Sequence, residues 1–407
     1  MFGKNDIMKD IKIVSYENFP FGGAPANFLR FFSFSLSSDD TGIEVILPTG
    51  NVYGKNIELK NQKKGKIDNV KYKHLGFKIH PQNIAGKFID NIVALFFTPI
   101  YLFFSNLKKP FDLIISYNTH ISRIFHLILI KIILRKKLIL ILPEFYEKPK
   151  NNILALFHWY DFYWGLKYFA KYADAYISVS HYMQNYIAQE LKISKPNYIL
   201  PSLLNPEVFV SKQQKEFKQG RITIGYTGTP TRKDGVIDLI KSFAIINKKY
   251  NNTHLLIIGD VINGNSVIPK LKEMAIELGC NDNITFTGLV PFNKIPDYLN
   301  SCQILTLTRP SGIFAEAGFP TKLGEYFACK KPVLITRVGD ISLYLKNEEH
   351  AIIVNPNDID NIAEGFEKLI LDNNLVKKIS NNGFIWMNNN LNYKKVSYKL
   401  RSFINNL

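Results

Sequence analysis

Short apolar runs along the first half of the chain alternate with longer segments whose apolar residues have helical spacing. The runs predict strands at residues 10–16, 42–48, 112–117, 137–142 and 174–180. Helical spacing is clearest at residues 120–135, between two of these strands. The alternation of strand and helix predicts an α/β fold with a parallel sheet.

The second half repeats this pattern. Strands are predicted at residues 221–226, 254–259, 284–286, 303–307 and 332–335. Helices are predicted at residues 266–278, 293–299, 358–371, 375–388 and 393–404. Between the halves, residues 197–220 shift to a polar composition that includes the run SKQQKEFKQG, which predicts a hinge. A chain of 407 residues is also too long for one ordinary core, so two domains are expected.

Composition places the chain among globular proteins, with 46% apolar and 21% charged residues. The three cysteines, Cys280, Cys302 and Cys329, lack metal-ligand spacing, which favours a reduced cytoplasmic protein without a zinc site. The first residues lack the apolar run of about 7–15 residues that a secretory signal needs. We therefore expect the protein to stay inside the cell.

The formal net charge of +17 is concentrated in one segment. Residues 51–150 hold 18 lysines and arginines against 6 acidic residues, whereas the rest of the chain holds 33 against 28. The same segment contains the apolar run IVALFFTPIYLFF at residues 92–104. These 13 residues, interrupted by Pro99, fall short of the roughly 20 that a membrane-spanning helix needs.

A helix lying on an anionic membrane surface explains both the apolar run and the charge, and it predicts a peripheral protein at the inner face of the cell membrane. The alternative is a partly buried domain helix beside a solvated basic face. Nucleic acid is not expected as a partner, because no binding motif is present and few aromatic residues lie among the lysines.

A glycine-containing loop follows the first predicted strand. It spans residues 17–25, contains Gly22 and Gly23, and precedes a helix. Ligands gather at the carboxyl ends of strands in open α/β sheets, and glycines allow the backbone to approach them. The spacing is not GxGxxG, so an ordinary turn is equally consistent with the pattern.

The stretch SGIFAEAGFPTKLGEYFACKKPVLIT, residues 311–336, combines a loop, a short helix and a buried strand. A helix that opens at Pro320 or Thr321 directs free backbone N–H groups toward the loop, where an anion such as phosphate can bind. Lys322 lies in the first turn, where its positive charge interacts unfavourably with the positive end of the helix dipole. A ligand's negative charge would offset this interaction. Glu325, one turn later, can accept hydrogen bonds from a ribose. The alternative is an ordinary surface helix.

The run GFPTKLGEYFACKKPVLIT resembles the nucleotide-sugar signature of the retaining glycosyltransferases of the GT-B fold, particularly family 4. The stretches ITFTGLVPFNKIPDYLNSC and ADAYISVSHYMQNY are also similar to that family. The resemblance implies two Rossmann-like doubly wound domains facing a central cleft. Residues 1–204 would bind the acceptor, residues 205–388 would bind the nucleotide sugar, and a helix within 389–407 would cross back to the first domain.

The resemblance also implies roles for single residues. Glu325 occupies the position that holds the donor ribose, and the family's sugar-binding glutamate falls at Ala317, next to Glu316 in the loop. We assign Glu316 to the catalytic group together with Lys322 and with His120, which follows a strand end where family members place a histidine. The loop with Gly22 and Gly23 would face the acceptor.

A second glycine loop, GTPTRKDGVIDLI, opens at Gly228. The family's two diphosphate-binding cations fall at Thr229 and Asp234, so the nearest available cations are Arg232 and Lys233, with Arg309 as a further one. By the same resemblance, the backbone of Leu289 and Val290 would frame the base. Thr321 would contact the phosphates at the helix start.

The implied reaction is glycosyl transfer with retention from a UDP- or GDP-sugar to a lipid-linked or polysaccharide acceptor, as in bacterial-type surface glycan biosynthesis. No metal or other cofactor is expected, since cations and a helix amino terminus can stabilise the leaving diphosphate. Two alternatives stay open. One is a non-catalytic, membrane-bound relative that assists another transferase, and the other is a sugar-nucleotide epimerase.

Overall fold

The computed structural model describes residues 10–50, 62–77, 83–150, 152–210, 217–261 and 265–407. The chain forms two compact units. Unit 1 comprises Met1–Leu203 and Tyr393–Leu407, and unit 2 comprises Leu204–Asn392. Each unit is built on its own, largely or wholly parallel sheet covered by helices, which confirms the predicted α/β, Rossmann-like fold class.

The described part of unit 1 contains an eight-stranded sheet. Its strands are β1 (Asp10–Ser15), β2 (Gly42–Leu47), β3 (Lys64–Ile67), β4 (Val70–His74), β5 (Leu113–Tyr117), β6 (Lys137–Leu142), β7 (Ala175–Ser178) and β8 (Asn197–Ile199). Their order is β3-β4-β2-β1-β5-β6-β7-β8, and only the edge pair β3–β4 is antiparallel. In the centre, Ile13 lies opposite Val45 on one side and Ile115 on the other, and all three are buried.

Five α-helices lie in the described residues that connect these strands. They are α1 (Ala24–Leu36), α2 (Ile84–Lys108), α3 (Ile121–Leu134), α4 (Ile153–Trp164) and α5 (His181–Asn185). A π-helical turn at Gly165–Phe169 continues α4. The connections through α2, α3 and α4 all step in the same direction along the sheet, so right-handed crossovers place these three helices on one face. The connection through α1 steps the opposite way and lies on the other face.

Helix α2 corrects one sequence prediction. The apolar run at residues 92–104 is part of a 25-residue helix, and Pro99 lies inside it. Asn83 caps the amino terminus of the helix, and its side chain accepts a hydrogen bond from the Gly86 N–H. The apolar run does not include the first turns of the helix, because these turns contain Lys87 and Asp90. By length and composition alone α2 could cross a membrane, so the prediction that it is too short was wrong.

Unit 2 has a six-stranded, fully parallel sheet in its described residues. Its strands are β9 (Ile222–Thr227), β10 (Thr253–Ile258), β11 (Ile284–Phe286), β12 (Ile304–Leu307), β13 (Val333–Thr336) and β14 (Ile352–Val354). The order is β11-β10-β9-β12-β13-β14, the strand order of a dinucleotide-binding sheet. The core around it consists largely of the buried apolar residues of these strands and their flanking helices.

The helices of unit 2 are α6 (Val236–Lys249), α7 (Ile268–Glu277), α8 (Ile295–Asn300), α9 (Ile313–Ala317), α10 (Thr321–Ala328), α11 (Ile341–Tyr344), α12 (Ile359–Leu371) and α13 (Asn373–Asn390). Helix α10 carries the signature run. Its buried residues Leu323, Tyr326 and Phe327 recur at helical spacing and pack into the core of unit 2.

The last helix, α14 (Tyr393–Asn405), belongs to unit 1. It packs along α1, where the ring of Tyr393 stacks on Phe31 with 5.4 Å between the ring centroids. Its buried residues Val396, Leu400 and Ile404 join the core that fills one side of the unit 1 sheet. Unit 1 is therefore assembled from both ends of the chain.

Candidate functional site

The strand order of unit 2 reverses between β9 and β12. In open α/β sheets, a crevice forms outside the carboxyl ends of the two strands at such a point, and ligands bind there. Gly228 follows β9, and Thr308 and Arg309 follow β12. The side chain of Lys322, from the first turn of α10, reaches the same place.

Two glycines allow the loop after β9 to close against its neighbours. Gly228 has φ +132°, and a Cβ at this position would collide with the Lys322 ammonium group. Gly235 has φ +70°, and a Cβ there would collide with the backbone carbonyl of Thr308. Both glycines thus meet a conformational requirement, and Gly235 also meets a steric one, because its neighbour is backbone whereas the Lys322 ammonium group ends a flexible side chain.

Asp234 joins this loop to β12 and α10. One oxygen of its buried carboxylate, Oδ2, pairs with Lys322 Nζ and lies 2.8 Å from the hydroxyl of Tyr226. The other oxygen, Oδ1, lies 3.3 Å from Nε of Arg309. We call Asp234, Lys322, Arg309 and Tyr226 the charge cluster.

The charge cluster carries more positive than negative charge. Burial opposes ionisation of Asp234, but Lys322 and Arg309 outweigh burial and hold the pKa of this carboxyl below its ordinary value. Burial lowers the pKa of the Lys322 ammonium, and the Asp234 carboxylate opposes that effect. Two cations against one carboxylate leave a charge of +1, which a second anion can neutralise.

Helix α10 presents Glu325 one turn after Lys322. The Glu325 side chain is half-buried, and no described residue donates a hydrogen bond to its carboxylate. Burial raises its pKa to about 7, while Lys322 acts in the opposite direction. The next residue, Tyr326, accepts a hydrogen bond from the Thr227 N–H at 2.9 Å, which fixes α10 against the end of β9.

Comparison with known proteins identifies the class of protein. Residues 208–386, nearly all of unit 2, match the family model of the group 1 glycosyl transferases. An uncharacterized glycosyltransferase of Methanocaldococcus jannaschii is 24% identical over 400 residues, which cover 95% of this chain and 96% of the relative. The protein is a glycosyltransferase.

Two further proteins are similar to this glycosyltransferase, one over about half of the chain and one over nearly all of it. The capsular polysaccharide biosynthesis glycosyltransferase CapM of Staphylococcus aureus is 31% identical over 182 residues, 45% of each chain. The crystal structure of Anabaena HepE in complex with UDP superimposes with a TM-score of 0.73, at 14% identity, over 98% of this chain and all of that one. At that identity the likeness establishes the GT-B fold alone.

The cations of the charge cluster are not the ones that lie nearest to Asp234 in the sequence. Arg309 and Lys322 meet Asp234, whereas the side chains of Arg232 and Lys233 are exposed on the turn before Gly235. Lys233 Nζ lies 5.9 Å from the centre of the Phe314 ring. Sequence reasoning missed Asp234 as the partner of Lys322. The signal was present, because an acidic residue stands where the resemblance expects a cation.

Glu316 lies in the short helix α9, so placing it in a loop was wrong. Its Oε2 accepts a hydrogen bond from the Gly339 N–H at 3.2 Å, and its side chain is exposed. The neighbouring Ala317 is fully buried. In this arrangement Glu316 holds the turn after β13, and its catalytic assignment stays a prediction.

The residues assigned to the base and to the phosphates also lie at the ends of strands or helices. Thr321 is the first residue of α10. Leu289 is exposed just after β11, whereas Val290 packs against the core of unit 2. Gly259 and Gly288 form an isolated antiparallel β-bridge, which fixes the start of this turn.

Unit 1 has its own reversal of strand order, between β1 and β5. Gly22 and Gly23 lie in the loop after β1, and Gly23 precedes the first residue of α1. Among the residues that the structure describes, a Cβ at Gly23 would meet only the Pro25 ring, at 3.9 Å, and their packing does not require glycine there. Across the loop, Glu17 pairs with Arg123 at 3.5 Å.

His120 follows β5 at the same end of the sheet and is fully buried. Its Nδ1–H donates to Oδ1 of Asn118 at 2.8 Å, so its Nε2 accepts the Nε2–H of His158, 3.1 Å away on α4. Burial, with help from Arg123 and His158, lowers the pKa of His120 to about 2. Both nitrogens are therefore engaged inside unit 1. No residue pattern indicated His158 as the partner, and a catalytic role for His120 stays a prediction.

Proposed function

We propose that this glycosyltransferase moves a sugar from a UDP- or GDP-sugar to a hydroxyl of a lipid-linked or polysaccharide acceptor, with retention of configuration. The donor diphosphate binds in unit 2 between the charge cluster and the amino terminus of α10. The similarity to a capsular polysaccharide glycosyltransferase supports this class of acceptor.

One observation carries the proposal, namely the excess positive charge of the charge cluster at the strand-order reversal of unit 2. Lys322 and Arg309 share a single carboxylate, and their side chains are only 19% and 12% exposed. Cations that have lost much of their water are stabilised by an anion that enters the site. A diphosphate supplies that anion, and the free N–H groups at the start of α10 add donors beside it.

Glu325 completes the donor site on the same helix. Its carboxylate lies one turn beyond the phosphate-facing end of α10, and no described residue satisfies it. A ribose diol attached to the diphosphate would supply two donors. The ribose hydrogen bonds would also stabilise the ionised form of a carboxylate that burial disfavours.

The chemical step breaks the bond between the anomeric carbon and the diphosphate oxygen and forms a bond from that carbon to the acceptor oxygen. Negative charge develops on the departing oxygen, where Lys322, Arg309 and the α10 amino terminus stabilise it. The proton of the acceptor hydroxyl passes to the leaving diphosphate. This route needs no side chain as a base, and it uses no metal.

Removing the charge of Lys322 tests the proposal. Because a charged hydrogen bond contributes about 1.5–3 kcal/mol, Lys322→Met and Arg309→Met should each weaken UDP binding about ten- to a hundredfold. Lys272→Met, at an exposed lysine of α7, is the control and should bind UDP like the parent. Calorimetry with UDP measures all three. Parent-like affinity in a folded Lys322→Met variant would place the diphosphate elsewhere.

A further inference from the structure

Unit 1 carries a broad apolar surface that the described part of the chain leaves exposed. Helix α2 exposes five large apolar side chains, each between 56% and 66% accessible: Phe88, Phe96, Phe97, Phe104 and Leu107. Only 22% of the most apolar 18-residue stretch of this helix is buried. Soluble proteins rarely expose a continuous apolar patch of this kind without a partner.

The exposed surface continues onto two neighbouring helices. Helix α3 packs beside α2 and exposes Ile132 and Ile133. Helix α4 packs beside α3 and begins with Ile153, Leu154 and Phe157, which are 67–73% exposed. All three helices cover the same face of the unit 1 sheet. We call their exposed apolar side chains the apolar face.

Aromatic and basic residues border the apolar face along α4. Trp159, Tyr160, Tyr163 and Trp164 pack ring to ring, with centroids 4.7–5.1 Å apart. Lys148 lies 5.5 Å from the rings of Trp159 and Tyr160. We call these four aromatic residues, with Lys148 and Lys167, the aromatic belt. Lys167 lies 5.5 Å from the Tyr163 ring.

The charge around these helices is strongly positive. Residues 84–172 hold 12 lysines and arginines but only 5 acidic residues. Two of the acidic residues are engaged within unit 1, since Asp90 is buried and Asp161 accepts hydrogen bonds from Ser122. The surroundings of the apolar face therefore favour an anionic partner.

We propose that the apolar face and the aromatic belt dock unit 1 onto an anionic lipid bilayer. Phenylalanine and aliphatic side chains enter the acyl boundary, tryptophan and tyrosine lie at headgroup level, and lysines meet the lipid phosphates. A second copy of the chain fits less well, because lysine is depleted in protein interfaces. The surface thus extends well beyond the single helix segment that the sequence indicated.

Docking on the surface, rather than spanning, follows from the position of α2 between β4 and β5. Asp90 of α2 accepts hydrogen bonds from the backbone N–H groups of Gly50 at 2.8 Å and Phe77 at 3.1 Å. Tyr101 of the same helix donates to Glu44 of β2 at 2.7 Å. Moving α2 across a membrane would break these contacts and leave a buried carboxylate without partners.

Cosedimentation of the full chain with vesicles tests the docking surface. The chain should bind vesicles of mixed phosphatidylglycerol and phosphatidylcholine, bind phosphatidylcholine vesicles less, and lose binding as salt rises. Two double variants, Phe96→Gln with Phe97→Gln in α2 and Leu154→Gln with Phe157→Gln in α4, should each reduce binding about tenfold or more.

The control variant carries Ile276→Gln and Leu371→Gln in unit 2, where both parent side chains are 63% exposed, and it should bind vesicles normally. Loss of binding in the α2 variant alone would overturn the three-helix surface. A different outcome is that the parent forms a stable dimer and binds no vesicles. If the same substitutions then dissociate the dimer, the apolar face is the interface with a second copy of the chain. Calorimetry with UDP separates this inference from the proposed function. The α2 and α4 variants, which should bind vesicles weakly, should bind UDP like the parent.

Discussion

The charge of Glu325, in the proposed donor site, depends on the burial of its side chain. Burial raises its pKa from an ordinary value of 4.5 to about 7, so the folded chain binds this proton more tightly than the unfolded chain does. The stability that Glu325 contributes is therefore fully present below pH 4.5 and is lost as the pH rises through 7.

Donor binding should have the opposite pH dependence, because only the ionised carboxylate accepts both ribose hydrogen bonds. We predict that affinity for UDP-glucose rises as the pH increases from about 6 to about 8, and that Glu325→Gln binds about tenfold more weakly and without this slope. UDP-glucose is the suitable ligand, since its diphosphate keeps the same charge over this range. Calorimetry at both pH values tests the prediction, and an unchanged slope in the variant would assign the titration to another group.

Residue patterns predicted some members of the charge cluster but not all of its contacts. The signature run identified Lys322 and Glu325, because helix spacing fixes their relation within α10. Arg309, in contrast, meets Asp234 across 75 residues of sequence. Choosing between Arg309 and the adjacent Arg232 and Lys233 requires the direction of each side chain, which depends on how the loop closes against β12.

At the scale of elements, apolar runs predicted the central strands of both sheets but not the edge pair β3 and β4, nor the three-residue edge strands β8 and β14. The pair β3 and β4 carries lysines at Lys64, Lys66, Lys71 and Lys73 at the edge of its sheet, so its apolar pattern is weak. Helix α2 was predicted too short for the related reason that its first turns are polar. Burial on both faces gives a strong sequence signal, and exposure on one face weakens it.

The turn at Gly235 is the element on which the charge cluster depends. It joins the turn that carries Asp234 to α6, and its carbonyl accepts a hydrogen bond from the Thr308 hydroxyl at 2.9 Å. Gly235→Ala should cost more than the conformational penalty of about 1–2 kcal/mol, because its methyl group would also collide with the Thr308 carbonyl. UDP binding should weaken with it, since Asp234 would shift.

Gly279→Ala is the matched control for this substitution. Gly279 has the same φ of +70°, but nothing lies within 4 Å of a Cβ there. Thermal denaturation, with and without UDP, compares the two variants. Equal losses of stability would mean that the contact with Thr308 adds nothing beyond backbone strain.

At the scale of the whole molecule, the chain returns to unit 1 through its last helix. Sequence spacing located α14, but periodicity does not say which sheet a helix covers, and only the family resemblance suggested the first domain. The structure places Tyr393–Leu407 in unit 1, where α14 shares its core with α1 and the central strands. The core of unit 1 therefore stays incomplete until Tyr393–Leu407 is in place.

Two substitutions on α14 test whether this helix stabilises unit 1 selectively. Leu400 is fully buried and Tyr398 is 79% exposed on the same helix. Leu400→Ala should destabilise unit 1 by about 2–5 kcal/mol, and Tyr398→Ala by at most about 0.5 kcal/mol. In the Leu400→Ala variant, hydrogen exchange should speed up in β1 and α1 but not in β9 or α6, and UDP binding by unit 2 should persist. Equal loss of protection in both units would instead mean that they unfold as one cooperative structure.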